Sequence, residues 1–134
     1  MSVRLKNRKT SEAQFLSTAR SLELETRKRC ISAPKRYTFY GLQEIWATAR
    51  RIHGNVKKAN TVFPTNNHEF QTRRDFLILA NAELQDYISQ LEGLLEDQVF
   101  TPTAAKILSD LASSEERLIK ALMKSDKTRF EKLI

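Results

Sequence analysis

An all-α chain folded as an up-down-up-down four-helix bundle is what this sequence predicts, on three observations. Only three Gly and three Pro interrupt 134 residues, whereas strands need turn residues every dozen positions or so. Leu, Ala, Glu, Lys, Arg and Gln dominate, all of them good helix formers. Four stretches also repeat apolar residues every three or four positions, the spacing that gives a helix one buried face. The length suits one domain with a real hydrophobic core, without disulfides or a structural metal. Residues 1–10 read as a basic, flexible N-terminus and residues 11–134 as the bundle; no internal repeat or low-complexity segment is visible.

The first helix is expected from Ser11 to about Ile31. Ser11 and Gln14 stand at capping-box spacing, and Phe15, Ala19, Leu22, Thr26 and Cys30 form its stripe. Pro34 ends the turn that follows. The second helix is expected from about Lys35 to Asn60, with Phe39, Leu42, Ile45, Ala49, Ile52, Val56 and Ala59 on one face and a stop before Pro64. Asn66 with Glu69 three residues later marks the start of the third, whose stripe runs through Phe70, Leu77, Ala80, Leu84, Ile88, Leu91 and Leu95 to about Asp97. Thr101 followed by Pro102 is an N-cap with proline at the first helical position, and Ile107, Leu108, Leu111, Leu118, Leu122 and Phe130 mark the fourth. Helices of this length joined by short connections most simply form a bundle.

The charge is segregated along the chain. Between Arg27 and Arg74 stand eleven bases and two acids, Glu44 and Glu69, while Asp75 to Ile134 holds seven bases and eleven acids. The bases come in runs, so the local potential is high and the release of phosphate counterions favours a polyanionic partner. On a helical wheel Arg50, Arg51, Lys57 and Lys58 fall opposite the apolar stripe of the second helix. Trp46 and His53 lie on the border, which makes Trp46, Arg50, His53 and Lys57 one ridge. Bases interleaved with rings can neutralise phosphates and stack on unpaired nucleobases. Lys35, Arg36 and Arg74 complete the candidate nucleic-acid-binding set. A solvated helix face with Trp46 half-buried is the plainer reading. The absence of acids between Glu44 and Glu69 favours binding, because an ordinary exposed helix interleaves Glu with Lys.

From Asp75 to Asp97 the third helix has six acids and no base. A basic second helix and an acidic third can mate within one bundle, or between neighbouring subunits in a head-to-tail ring, with Glu83 and Asp86 as the candidate interface acids. Arg73 falls inside the apolar stripe of its helix, where it needs a paired acid; Asp126 stands at the matching level of an antiparallel fourth helix. Glu115 likewise projects toward the core, either as a subunit contact or as a buried partner.

Enzymatic chemistry is not expected. Cys30 is the only cysteine, His53 and His68 lie on different elements, and there is neither a Gly-rich phosphate loop nor a paired-His metal motif. No metal or other cofactor is expected, and a di-iron bundle would need Glu-x-x-His pairs that are missing. The polar, basic Met1–Lys9 predicts no signal peptide, and the apolar run Phe76–Ala80 is too short to span a membrane. A soluble, cytoplasmic protein is the expectation.

The stretch Pro34-Lys35-Arg36-Tyr37-Thr38-Phe39-Tyr40, then Val56-Lys57-Lys58-Ala59-Asn60, Phe63-Pro64, Glu69, Arg73-Arg74-Asp75, Ser89-Gln90-Leu91 and Met123-Lys124-Ser125-Asp126-Lys127 resemble, in order and spacing, a known family. It is that of the accessory variability determinants, four-helix-bundle proteins encoded beside the reverse transcriptase of diversity-generating retroelements. The likeness covers roughly Leu16 to Phe130. It implies a non-enzymatic homopentameric ring that binds the reverse transcriptase and its template RNA and supports mutagenic cDNA synthesis. A general nucleic-acid-binding bundle and a purely structural homo-oligomer are the alternative functions.

Overall fold

In a computed structural model the backbone of residues 2–134 is described, with side chains from Gln14 onward. Helix α1 spans Ser2–Ser32, α2 Gln43–Thr61, α3 Asn67–Glu96 and α4 Pro102–Arg129, and no strand is present among the described residues. Helix α1 thus begins at Ser2, ahead of the start expected at Ser11, and takes in most of the segment 1–10 expected to be flexible; the side chains of the Ser11 capping box lie outside the described residues. No helix among the described residues is long and apolar enough to cross a membrane.

The expected stripes become the core. Phe15, Ala19 and Leu22 of α1 meet Ile45, Ala49, Ile52, Val56 and Ala59 of α2, Leu77, Ala80, Leu84 and Leu91 of α3, and Leu108, Ala112 and Ile119 of α4. Each helix packs against its neighbours in sequence, and α4 closes on α1. Cross-links fix the directions. Cys30 near the end of α1 donates through Sγ to the Leu42 carbonyl just before α2, 3.4 Å away. Arg73 at the start of α3 reaches carbonyls at the end of α2 and the Asp126 carboxylate near the end of α4. Consecutive helices are therefore antiparallel, the up-down-up-down order that short connections dictate. Tyr87 and Thr26 tie the diagonal pair α1 and α3. The Thr26 hydroxyl donates to the Leu22 carbonyl at 2.6 Å, leaving its oxygen to accept from the buried Tyr87 hydroxyl at 2.7 Å.

The caps form where the sequence signals them. The Asn66 side chain accepts from the Glu69 amide at 2.9 Å, and that of Thr101 accepts from the Ala104 amide at 3.1 Å, each satisfying one of the orphan donors of a helix start. The α3 end is closed by Gln98 at φ 60°, which lets the Val99 and Phe100 amides both donate to the Leu94 carbonyl. Phe100 thereby enters the core.

The second helix corrects the sequence reading. It begins at Gln43, not at Lys35. Lys35–Tyr37 is a single 3-10 turn, and Thr38–Leu42 is a kinked segment in which Gly41 takes φ 152°. That angle suits glycine, and a Cβ there would also stand 3.0 Å from Leu94 Cδ2. The kink swings Phe39 off the expected stripe, leaving it 91% exposed. Leu95 and Ile107, also expected in stripes, sit on the rim with more than a third of their surface exposed, while Tyr87 and Leu94 take core places that the stripe had not included.

At the opposite end of the bundle Phe63 and Phe70 pack edge-on against Phe130, with centroids 5.7 and 6.2 Å apart. Beside them lies the buried pair of Arg73 and Asp126, placed together as the stripe violation required.

Candidate nucleic-acid interface

Helix α2 carries most of the candidate residues because its stripe from Ile45 to Ala59 is wholly committed to the core. The bases between must face outward. Arg50, Arg51, Lys57 and Lys58 are all exposed, whereas Trp46 and His53 are half-buried. From Trp46 to Lys58 the helix rises about 18 Å, so these side chains line the bundle rather than converge on one point.

They divide into two edges. On the α1 side the Arg50 guanidinium lies 5.4 Å from the Trp46 ring centroid, a cation–π contact that covers part of the indole. Below it, His53 Nδ1 is hydrogen-bonded to the Glu23 carboxylate of α1. Ser17, Arg20, Glu23, His53 and Lys57 line a groove between α1 and α2 with Leu16 and Leu24 as its apolar wall. On the α3 side Arg51 Nε donates to Glu83 at 3.1 Å and its Nη2 to the Thr48 hydroxyl at 3.0 Å. Lys58 lies 5.9 Å from the Phe76 ring centroid. Between the edges is a shallow dent at Gly54, where a Cβ would meet nothing within 4 Å, rimmed by Arg50, Arg51, Asn55 and Lys58.

Their electrostatic availability differs. Among the described residues, no carboxylate lies within 4.0 Å of the cationic groups of Arg20, Arg50, Lys57, Lys58 or Arg74. Arg51 is partly neutralised by Glu83, and the His53 ring is occupied by its hydrogen bond to Glu23. The opposed charges of α2 and α3 therefore meet within the chain at Arg51 and Glu83, and a 3.2 Å hydrogen bond from the Gln90 amide to the Glu44 carboxylate also joins the two helices. Of the two candidate interface acids, Glu83 is half-buried in that contact, while Asp86 is exposed and has no ion-pair partner among the described residues. Arg74 is half-buried on α3. Lys35 and Arg36 are exposed on the turn before α2, at the other end of the bundle.

Arg20 and Glu23 were missed by reading one helix at a time. Nothing in the spacing links Glu23 to a histidine 30 residues later; only the α1–α2 pairing does. Cys30 is half-buried and burial pushes its thiol up to about 11, leaving it protonated and unreactive near neutral pH. Among the described residues no group of three His, Cys, Asp or Glu side chains is placed to hold a metal. The chain matches no family model, no curated protein and no solved structure.

Proposed function

We propose that this protein is a non-enzymatic, nucleic-acid-binding four-helix bundle that serves a diversity-generating retroelement, holding template RNA for its reverse transcriptase during mutagenic cDNA synthesis. The observation that carries the binding is the outer face of α2, where Arg50, Lys57 and Lys58 stand exposed with no carboxylate in pairing distance among the described residues. A face of unpaired cations favours a polyanion through counterion release. The retroelement role rests on the sequence likeness to the accessory variability determinants. By the same likeness the working form is a five-membered ring; the opposed charges of α2 and α3 favour the exposed Asp86 for its contact face, and the composition favours the cytoplasm.

The test is reconstitution with the reverse transcriptase that this reading expects to be encoded beside it. Template-primed cDNA yield is expected to rise at least tenfold when the protein is added, and to fall back when Arg50, Arg51, Lys57 and Lys58 are changed together to Gln. A yield indifferent to the protein contradicts the accessory role. Light scattering that gives one 15.5 kDa chain at micromolar concentration contradicts the ring.

A further inference from the structure

The connection between α1 and α2 exposes more aromatic surface than its packing explains. Phe39 is 91% exposed and Tyr40 59%, on a segment otherwise well tied down. The Tyr40 hydroxyl donates to Asp97 Oδ2 at 2.7 Å, anchoring the segment to the end of α3. Cys30 Sγ donates to the Leu42 carbonyl, and Gly41 takes the positive φ that lets the backbone pass close to Leu94. Tyr37 and Tyr40 lie with centroids 6.4 Å apart and rings tilted by 54°. The Arg36 guanidinium sits 4.8 Å from the Tyr37 centroid and donates through Nη2 to the Tyr37 hydroxyl at 3.0 Å. The rings are thus held in place, and Phe39 is presented to solvent rather than to the core.

Cations stand on the same turn and at the end of the preceding helix. Lys35 and Arg36 are exposed on the same turn, and Arg27 and Lys28 on the last turns of α1 beside it. Among the described residues only Lys28 of these has a carboxylate in ion-pair range, Glu25 at 3.4 Å. Rings beside Arg27, Lys35 and Arg36, with the Asp97 carboxylate taken up by the Tyr40 hydroxyl, match one ligand chemistry: a strand whose phosphates meet the bases and whose nucleobases offer π faces to the rings. A duplex keeps its bases stacked inside and offers the rings nothing comparable.

We propose that the α1–α2 connection is a stacking platform for unpaired nucleobases, with Phe39 as its outermost ring and Lys35 and Arg36 as its phosphate contacts. This rests on the nucleic-acid-binding reading and adds a second contact, at the end of the bundle, selective for single strands. The face of α2 then supplies affinity for any polyanion, and the platform supplies preference for unpaired bases.

The experiment compares three fluorescein-labelled probes by anisotropy: a 20-nucleotide single-stranded RNA, an abasic strand of the same length and a 20-base-pair duplex. Loss of one stacked base weakens binding about 5- to 150-fold. Phe39→Ala is expected to weaken binding of the RNA strand by a factor in that range, leaving the abasic strand and duplex unchanged, and Phe39→Trp is expected to restore it. An exposed side chain at this position contributes little to folding, and circular dichroism of both variants checks that. Equal affinity of Phe39→Ala and the unmodified protein for the RNA strand overturns the platform and assigns the rings to a protein contact. Equal losses on all three probes overturn it as well, because stacking cannot act on an abasic strand. Failure of the unmodified protein to bind even the abasic strand instead removes the polyanion reading on which the platform rests.

Discussion

Asp126→Ala is expected to be among the most damaging single substitutions in this chain, lowering stability by about 3–5 kcal/mol, the range seen when one partner of a buried ion pair is removed. Asp126 takes two hydrogen bonds from the Arg73 guanidinium, from Nε at 2.6 Å and Nη2 at 3.3 Å, and both side chains are almost completely buried. The remaining nitrogen, Nη1, donates to the carbonyls of Ala59 and Val62 at 3.0 and 3.2 Å. One guanidinium therefore joins α3, the end of α2 and the end of α4. Without Asp126 the charge stays buried with nothing to balance it. Urea unfolding measures the effect, and a loss below about 1 kcal/mol, the level of an exposed pair, would contradict the account. Replacing Arg73 by Met and Asp126 by Leu together should be much less harmful than Asp126→Ala, since no lone charge then remains inside.

Glu115→Leu is expected to do the opposite and stabilise the fold, by an amount that grows with pH. Glu115 is fully buried on α4 and neither carboxylate oxygen has a hydrogen-bond partner among the described residues. Burial pushes its carboxyl from an ordinary 4.5 up to about 8. Below pH 4.5 the group is protonated in both folded and unfolded chains, so no electrostatic penalty applies. From there to about pH 8 the unfolded chain releases the proton while the folded chain keeps it, so stability falls as pH rises; above pH 8 both forms are ionised and the penalty levels off. At 1.36 kcal/mol per unit the penalty at pH 7 is about 3 kcal/mol. The variant should therefore gain little at pH 4 and several kcal/mol at pH 8, read as unfolding free energy at the two pH values. A gain that does not change between them would show that Glu115 is ionised in the core or paired there.

The two buried charges show what a one-dimensional pattern can and cannot reveal. Arg73 stands out in the sequence because it breaks an apolar stripe, and the antiparallel order of helices points to Asp126 as its partner. The structure joins them. Glu115 breaks a stripe in the same way, yet no spacing reveals that its oxygens find no partner among the described residues. The four helices were legible because each has a continuous stripe, and the starts of α3 and α4 because Asn66 and Thr101 carry local capping signals. The start of α2 was not. Phe39 and Leu42 fit a helical period, and a lone glycine between them does not by itself announce a kink. The neighbour that leaves no room for a Cβ at Gly41 is Leu94, more than 50 residues away in the chain.

The basic side of the candidate interface followed from the same period, since residues opposite a fully buried stripe have nowhere to point but outward. What the period could not give were the partners contributed by other helices. Glu83 ties down Arg51, Glu23 holds His53, and Arg20 joins Lys57 across the α1–α2 groove. These set which cations are available. They leave Arg50, Lys57 and Lys58 as the cations of α2 with no carboxylate in pairing distance among the described residues, and Arg51 as a partly neutralised one.

The most direct measurement of the proposed polyanion-binding face is a salt titration of RNA binding. Affinity for a single-stranded RNA is measured at rising salt for the unmodified protein and for the variant with Arg50, Arg51, Lys57 and Lys58 changed to Gln. Each phosphate contact to a single strand contributes roughly 0.7 to the slope of log affinity against log salt, so loss of all four should flatten that slope by roughly 3 and weaken binding most at low salt. Because these side chains are exposed, helicity and unfolding midpoint should change little. A variant that binds with unchanged affinity and slope would contradict the account and show that the charged face of α2 is only solvated surface.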